Sequence, residues 1–298
     1  MKNLLVSAKS DDALIIKIRK RLDLYKNIKL KHIDPTNSFL NLNTLKKKIR
    51  EYDLVISKSS EQTSIDLLYF ANMNNIPTIN NYYSVLVCKN KIILDLILRK
   101  IFSQSKSDLI RFLLPKSWVY KSPFEKQLKF KKWANNLFPL VFKNKDQKIE
   151  TNRFNFLVNS EDEVEDFISF HKNLLSSDIY IQKFINCDGF DYKIYIVGDK
   201  IFGIKRENPI CMYLKEQLDF INLDEIERKN FKIDNEIRKL ANVISNKLNL
   251  EIYGMDLLKS VNDDKYYLID LNEFPGFKGI KNNDLIIADY IIEYMKTI

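Results

Sequence analysis

Glycine is absent from the first 188 residues; all six glycines lie between Gly189 and Gly279. A Walker A loop or a GxGxxG turn needs glycine so that backbone N–H groups can approach phosphate. Both are excluded from that stretch, and neither pattern occurs later. Any nucleotide is therefore bound without a P-loop. Cysteine is equally scarce: Cys88, Cys187 and Cys211 show no CxxC spacing, which supports neither a disulfide framework nor a zinc site. Long apolar runs are missing too. The stretch LIIADYII at 285–292 is far too short to span a bilayer. The start MKNLLVSAKSDD lacks a small-residue cleavage site, so the expectation is a cytoplasmic protein with no membrane partner.

What is present begins with charge. The balance of 48 − 39 gives +9, a surplus that can attract nucleic acid, anionic membrane or a phosphorylated small molecule. Lysines spread over a solvated surface give the same total, so charge alone decides nothing. No RNP, KH or zinc-finger pattern occurs, and the aromatics sit inside apolar strands, which argues against a nucleic-acid partner.

The first part alternates strands and helices: KNLLVSA, DDALIIKIRKRLDLY, IKLKHID, a helix near Thr44–Tyr52, DLVISK, a helix over Ser64–Asn74, and IPTIN. That alternation predicts a small parallel sheet covered by helices. KIILDLILRKIFS reads as a helix leading into a second unit, where SWVYK and LVFKNK are candidate strands. From Tyr180 the chain is strand-rich, interrupted by an amphipathic helix over Asn235–Leu248.

Two hairpins place charges. In DYKIYIVGDKIFGIKR the pair Gly198-Asp199 is a good two-residue turn, which sets Lys193 opposite Ile204 and Asp191 opposite Arg206. Alternation then puts Lys193 and Arg206 on one face, a plausible phosphate clamp. The spacing slightly favours a plainer arrangement, with Arg206 paired to Asp191 and Lys193 extending to water. In EIYGMDLLKSVNDDKYYLIDLNEFPG a turn centred near Asp263 sets Asp256 across from Asp270; a turn one residue earlier makes them diagonal neighbours. Asn272 shares the face of Asp270. Close carboxylates within apolar strands repel unless a cation lies between them. With an amide oxygen they form a hard donor set suited to Mg²⁺. Pro275-Gly276 marks a turn whose backbone could approach a ligand; a purely structural turn fits equally well.

These residues resemble the C-terminal half of ATP-grasp enzymes: YIQKFINCDGFDYKIYIVGDKIFGIKR, LEIYGMDLL and DLNEFPGFKGI. Within that superfamily they look most like the inositol trisphosphate 5/6-kinases (inositol polyphosphate kinases), whose metal strand reads D-[IV]-N-x-F-P-G-[YF] and whose substrate strand reads Y-K-x-[YF]-x-V-G. The match is clear over 180–280 and weaker before it, where VSAKSDD and DLVISKSSE stand at the family's substrate lysines. The resemblance implies an α/β chain, α+β in its C-terminal lobes: a Rossmann-like pre-ATP-grasp domain at 1–85, a central lobe at 86–180 and a C-terminal lobe at 181–298, the last two clasping ATP. It implies that Lys91 and Lys143 contact ATP phosphates and that Gln182 lies at the adenine hinge. Asp256, Asp270 and Asn272 would hold Mg²⁺. Lys193 and Arg206 would be catalytic and, with Asn272 and Gly276, meet the substrate; Lys9 and Lys58 are weaker substrate candidates from the first lobe.

The expected activity is transfer of the ATP γ-phosphate to a hydroxyl of an inositol polyphosphate by a monomer, through positioning and charge neutralisation. One departure stands out. After Lys143 that family carries a glycine- and histidine-containing loop, whereas here KNKDQKIETNRFNFLVNS has neither. Lys145, Lys148 and Arg153 are candidates to supply charge there, and the two histidines, His32 and His171, fall elsewhere. The alternative activity is a carboxylate–amine ligase resembling the RimK-type glutamate ligases, acting through an acyl phosphate. G-F-D-Y-K and PGFKGI followed by LIIADYII resemble that group. Asp270, where the ligases usually have Glu, and Phe274 before Pro-Gly favour the kinase.

Overall fold

Alternation along each early strand decides how the first lobe is built. The computed structural model describes residues 1–59, 61–121, 126–144, 155–170, 178–216 and 222–298. Its first elements are β1 (Lys2–Ala8), α1 (Ala13–Leu22), β2 (Ile28–Ile33), α2 (Leu42–Ile49), β3 (Leu54–Lys58), α3 (Gln62–Met73) and β4 (Thr78–Ile79). They form a parallel sheet of order β2-β1-β3-β4. Leu4, Val6 and Ala8 join one apolar cluster and Leu5 the opposite one, as a strand buried on both faces requires. Asp12 caps α1 by accepting from the Leu14 and Ile15 N–H groups.

Then follow α4 (Tyr82–Lys89), α5 (Lys91–Gln104) and β5 (Phe112–Leu113). The next lobe consists of β6 (Ser117–Tyr120), α6 (Gln127–Ala134), β7 (Leu140–Asn144), β8 (Asn155–Val158), α7 (Glu161–Phe170) and β9 (Ile179–Lys183). Its antiparallel sheet has the order β6-β9-β7-β8. Phe130, Phe142 and Phe167 fill its core, with Phe142 and Phe167 edge to face at 4.8 Å.

The last part contains β10 (Cys187–Val197), β11 (Lys200–Glu207), α8 (Pro209–Glu216), β12 (Lys229–Asn230), α9 (Asn235–Leu248), β13 (Ile252–Ser260), β14 (Tyr266–Glu273) and α10 (Asn283–Thr297). Its six-stranded sheet runs β12-β11-β10-β13-β14-β5. Ile237, Leu240, Ala241, Ile244 and Leu248 recur at helical spacing, so α9 buries one apolar stripe against that sheet. Helix α10 returns to α1, and Arg21 Nε meets Asp284 Oδ2 at 2.7 Å.

Sheet membership cuts across the ranges 86–180 and 181–298. Strand β5 belongs with the C-terminal sheet, through parallel pairing with β14, and β9 belongs with the central one. Helices α4 and α5 likewise contribute Val87, Leu94, Leu98 and Ile101 to the C-terminal core. Short β5 carries little periodic signal of its own, so its partner is set by long-range pairing.

Candidate active site

The hairpin of β10 and β11 has the register its turn dictates: Val197 opposite Lys200, Lys193 opposite Ile204 and Asp191 opposite Arg206. Arg206 gives Nε and Nη2 to Asp191 Oδ2, at 3.0 and 2.9 Å, the plainer of the two arrangements allowed by spacing. Lys193 does not extend to water. It reaches across to the neighbouring strand and meets Asp256 Oδ2 at 2.6 Å.

The β13–β14 hairpin carries a device that alternation does not reveal. Near its turn, Leu257 opposes Leu268, but the next pair is Asp256 with Asp270, so Ile269 is an extra residue, a β-bulge. The bulge leaves both Leu268 and Leu271 in the apolar core. It also turns Ile269 and Asp270 together toward the cavity. The freed Ile269 carbonyl accepts from Lys143 Nζ at 3.1 Å.

Side chains from two sheets and from helix α5 converge there. Lys91 is the first residue of α5, capped by Asn90. A cation at a helix N-terminus opposes the macrodipole, and its contact with Asp270 Oδ1 at 2.8 Å offsets that. Lys143 comes from β7 and Gln182 from β9; both are buried, and Gln182 Nε2 donates to Tyr180 Oη at 2.9 Å. Tyr180 in turn donates to Asp95 at 2.8 Å. Asn272 Nδ2 donates to Asp270 Oδ2 at 3.3 Å.

A cavity of about 480 Å³ lies between the central and C-terminal sheets, lined by Lys143, Gln182, Arg206, Asp256 and Asp270 among others. Lys91, Lys193 and Asn272 are bonded to the acids at its floor. The sequence-derived residues from these lobes therefore meet in one place. Lys9, Lys58 and Gly276 do not line this cavity. Lys9 follows β1, Lys58 ends β3 and is paired with Asp12. Gly276 lies after β14, where an added Cβ would meet only the Lys278 side chain, at an ordinary 3.9 Å contact. Its neighbours Phe274 and Phe277 are buried at positive φ of 40° and 50°, a conformation costly for bulky residues and held here by packing. Lys145, Lys148, Arg153 and His171 lie outside the described residues.

The electrostatics follow from this crowding. Burial works against an ionised Asp270, but Lys91 and Lys143 outweigh it and hold the carboxyl down to about 2. Burial, then the Lys91 ammonium, hold Lys143 down to about 8. Burial also opposes charge on Lys193, yet Asp256 overrides it and the amine is raised. Burial and then Asp256 raise Asp191, against the pull of Lys193 and Arg206.

Among the described residues no group of three or more His, Cys, Asp or Glu side chains forms a metal site. What the hairpin offers is two carboxylates in direct register plus the Asn272 amide, whose oxygen is left over once Nδ2 has donated to Asp270. Hard oxygen donors few enough to leave room for phosphate oxygens and water fit Mg²⁺.

Sequence reasoning missed Asn208. Its Nδ2 donates to Asp191 Oδ1 at 2.5 Å, and its Oδ1 caps α8 by accepting from the Cys211 N–H. The signal was there: Asn208-Pro209 is a helix start, with a capping side chain followed by proline at the first helical position.

The profile of the RimK-like ATP-grasp domain matches residues 111–295. The coenzyme γ-F420-2:α-L-glutamate ligase of Methanocaldococcus jannaschii is 28% identical over 186 residues, 58% of this chain and 59% of that protein. Inositol-tetrakisphosphate 1-kinase 2 of Oryza sativa subsp. indica is 23% identical over 138 residues, 40% of each chain. These alignments span less than two thirds of either relative. Among solved structures, a RimK domain ATP-grasp protein from Sphaerobacter thermophilus superposes with a TM-score of 0.69 at 12% identity, over 97% of this chain and 99% of its own. No helix among the described residues is long and apolar enough to cross a membrane. The chain belongs to the RimK-like ATP-grasp family and has that fold.

Proposed function

We propose that the protein is a carboxylate–amine ligase of RimK type, which activates a carboxylate with ATP as an acyl phosphate and joins it to an amine. The observation that carries this reading is the state of the substrate-side cations. Arg206 has already given Nε and Nη2 to Asp191, and Lys58 is paired with Asp12. The guanidinium N–H groups that remain suit one carboxylate better than a dense polyanion. Similarity to a glutamate ligase over more than half of the chain supports the same reading.

Asp256, Asp270 and Asn272 would hold Mg²⁺, which when bound would neutralise the terminal phosphates of the nucleotide. Lys91 and Lys143, buried beside Asp270, bring positive charge to those phosphates in a site screened from water. Gln182 and the central sheet cover the nucleotide. Arg206, fixed by Asp191, orients the acceptor carboxylate for in-line attack on the γ-phosphorus, which releases ADP. Lys193 stabilises the charge shared between the transferred phosphoryl group and the carboxylate oxygen. The amine then attacks the activated carbonyl and expels phosphate.

Kinase chemistry on an inositol polyphosphate is the second reading. Asp270 in D-L-N and the likeness to the rice kinase favour it. Incubation with Mg-ATP, hydroxylamine and a panel of carboxylates, amines including glutamate, and inositol phosphates separates the two. Hydroxamate formation and amine-dependent phosphate release are expected. A phosphorylated polyol without any hydroxamate or amide would replace the ligase with the kinase.

A further inference from the structure

Two of the three cysteines meet on the wall of the nucleotide cavity. Cys187 opens β10 and lines the cavity, while Cys211 lies in the first turn of α8. Their Sγ atoms stand 3.5 Å apart as free thiols, although 24 positions separate them in sequence. The contact is stitched in place. Asn208 donates its backbone N–H to Gly189 O at 2.8 Å, gives Nδ2 to Asp191 and accepts from the Cys211 N–H. Strand β10 and helix α8 thus share one polar joint, and that joint carries the carboxylate that holds Arg206. Pro209 and Ile210 of the same helix also line the cavity.

We propose that Cys187 and Cys211 are a redox modification site, closing to a disulfide that reshapes the cavity wall and weakens nucleotide binding. A disulfide needs sulfurs about 2.05 Å apart, so from 3.5 Å they approach by roughly 1.5 Å. Helix α8 must move toward β10, or the strand toward the helix. Either motion shifts Asn208, and through it Asp191 and Arg206. The hydrogen bond from Cys211 holds the Cys187 thiol down to about 7, against burial, which suits Cys187 as the attacking sulfur. The oxidant is a low-molecular-weight disulfide entering through the cavity. The Cys187 thiolate attacks one of its sulfurs and expels a thiolate. Cys211, losing its proton to solvent, then attacks the Cys187 sulfur of the mixed disulfide and expels the second. Two electrons pass from the protein thiols to the oxidant, and two small thiols leave.

The test uses the full chain, reduced, desalted and treated with oxidised glutathione. Peptide mass spectrometry without reductant should find Cys187 and Cys211 cross-linked. Mg-ATP affinity, read by calorimetry, should fall about tenfold or more and recover with dithiothreitol, since shifts near 1 Å in a preorganised site carry penalties of that order. Cys211→Ser, kept reduced, should bind Mg-ATP as the reduced parent does, and with the oxidant it should stop at a glutathione adduct on Cys187 without any cross-link; Cys211→Ala serves the same purpose if the serine variant folds poorly. Absence of the cross-link in the oxidised parent, a cross-linked chain with unchanged affinity, or a Cys211→Ala chain that takes up no glutathione at Cys187 would each overturn the proposal. None of these readouts depends on which acceptor the enzyme uses.

Discussion

Lys143 has 5% of its surface exposed and hydrogen-bonds only to the Ile269 carbonyl among the described partners. Its amine is held down to about 8 in the folded chain, against 10.5 ordinarily. The unfolded chain therefore binds more protons between those values. Stability is reduced below about pH 8 and rises as pH climbs through that window. Nucleotide phosphates beside the amine would return it toward its ordinary value. At pH 9, Mg-ATP binding should take up a proton, and affinity should fall as pH rises above about 8. Titration calorimetry in two buffers of different ionisation heat reads that uptake; identical apparent enthalpies would remove Lys143 from the phosphate site. Its identity as a candidate came from the family resemblance, at the strand LVFKNK. Its depressed pKa could not, because burial and the approach of Lys91 are products of the fold.

At the scale of elements, the two hairpins show how far a turn propagates. Gly198-Asp199 sets the register of β10 against β11 throughout, and arithmetic from that turn places every facing pair. Gly198 has φ +56°, and a Cβ added there would stand 2.4 Å from the Tyr290 ring of α10. Gly198→Ala should thus lower stability by about 1–3 kcal/mol through overpacking and strain. Urea denaturation followed by circular dichroism measures this; a midpoint equal to the parent's would show that the ring moves aside freely. The second hairpin was less legible. Its acids oppose each other because of a bulge at Ile269, and a bulge in an unbroken apolar run leaves no compositional mark. Helix α8 was overlooked although Asn208-Pro209 announced its start.

For the whole molecule, the proposed function depends on the central and C-terminal sheets presenting their inner faces to one cavity. A ligand held between them stabilises the folded chain by mass action, about 2.7 kcal/mol at a hundredfold excess over Kd. Mg-ATP should raise the melting midpoint by several degrees, and Asp270→Asn should abolish that rise while the unliganded midpoint stays within a few degrees of the parent. An undiminished ligand shift in this variant would place the triphosphate elsewhere. Periodicity and turn chemistry in the sequence determined the strands and helices of the first lobe, helix α9 and the charged faces of both hairpins, because these depend on neighbours within a few positions. Only the tertiary structure decided which sheet received β5 and β9, that Lys193 crosses to Asp256, and that Asp191 is shared by Arg206 and Asn208. Such pairings join residues far apart in the chain, and the energy that selects them comes from burial and charge compensation that arise only once the sheets have assembled.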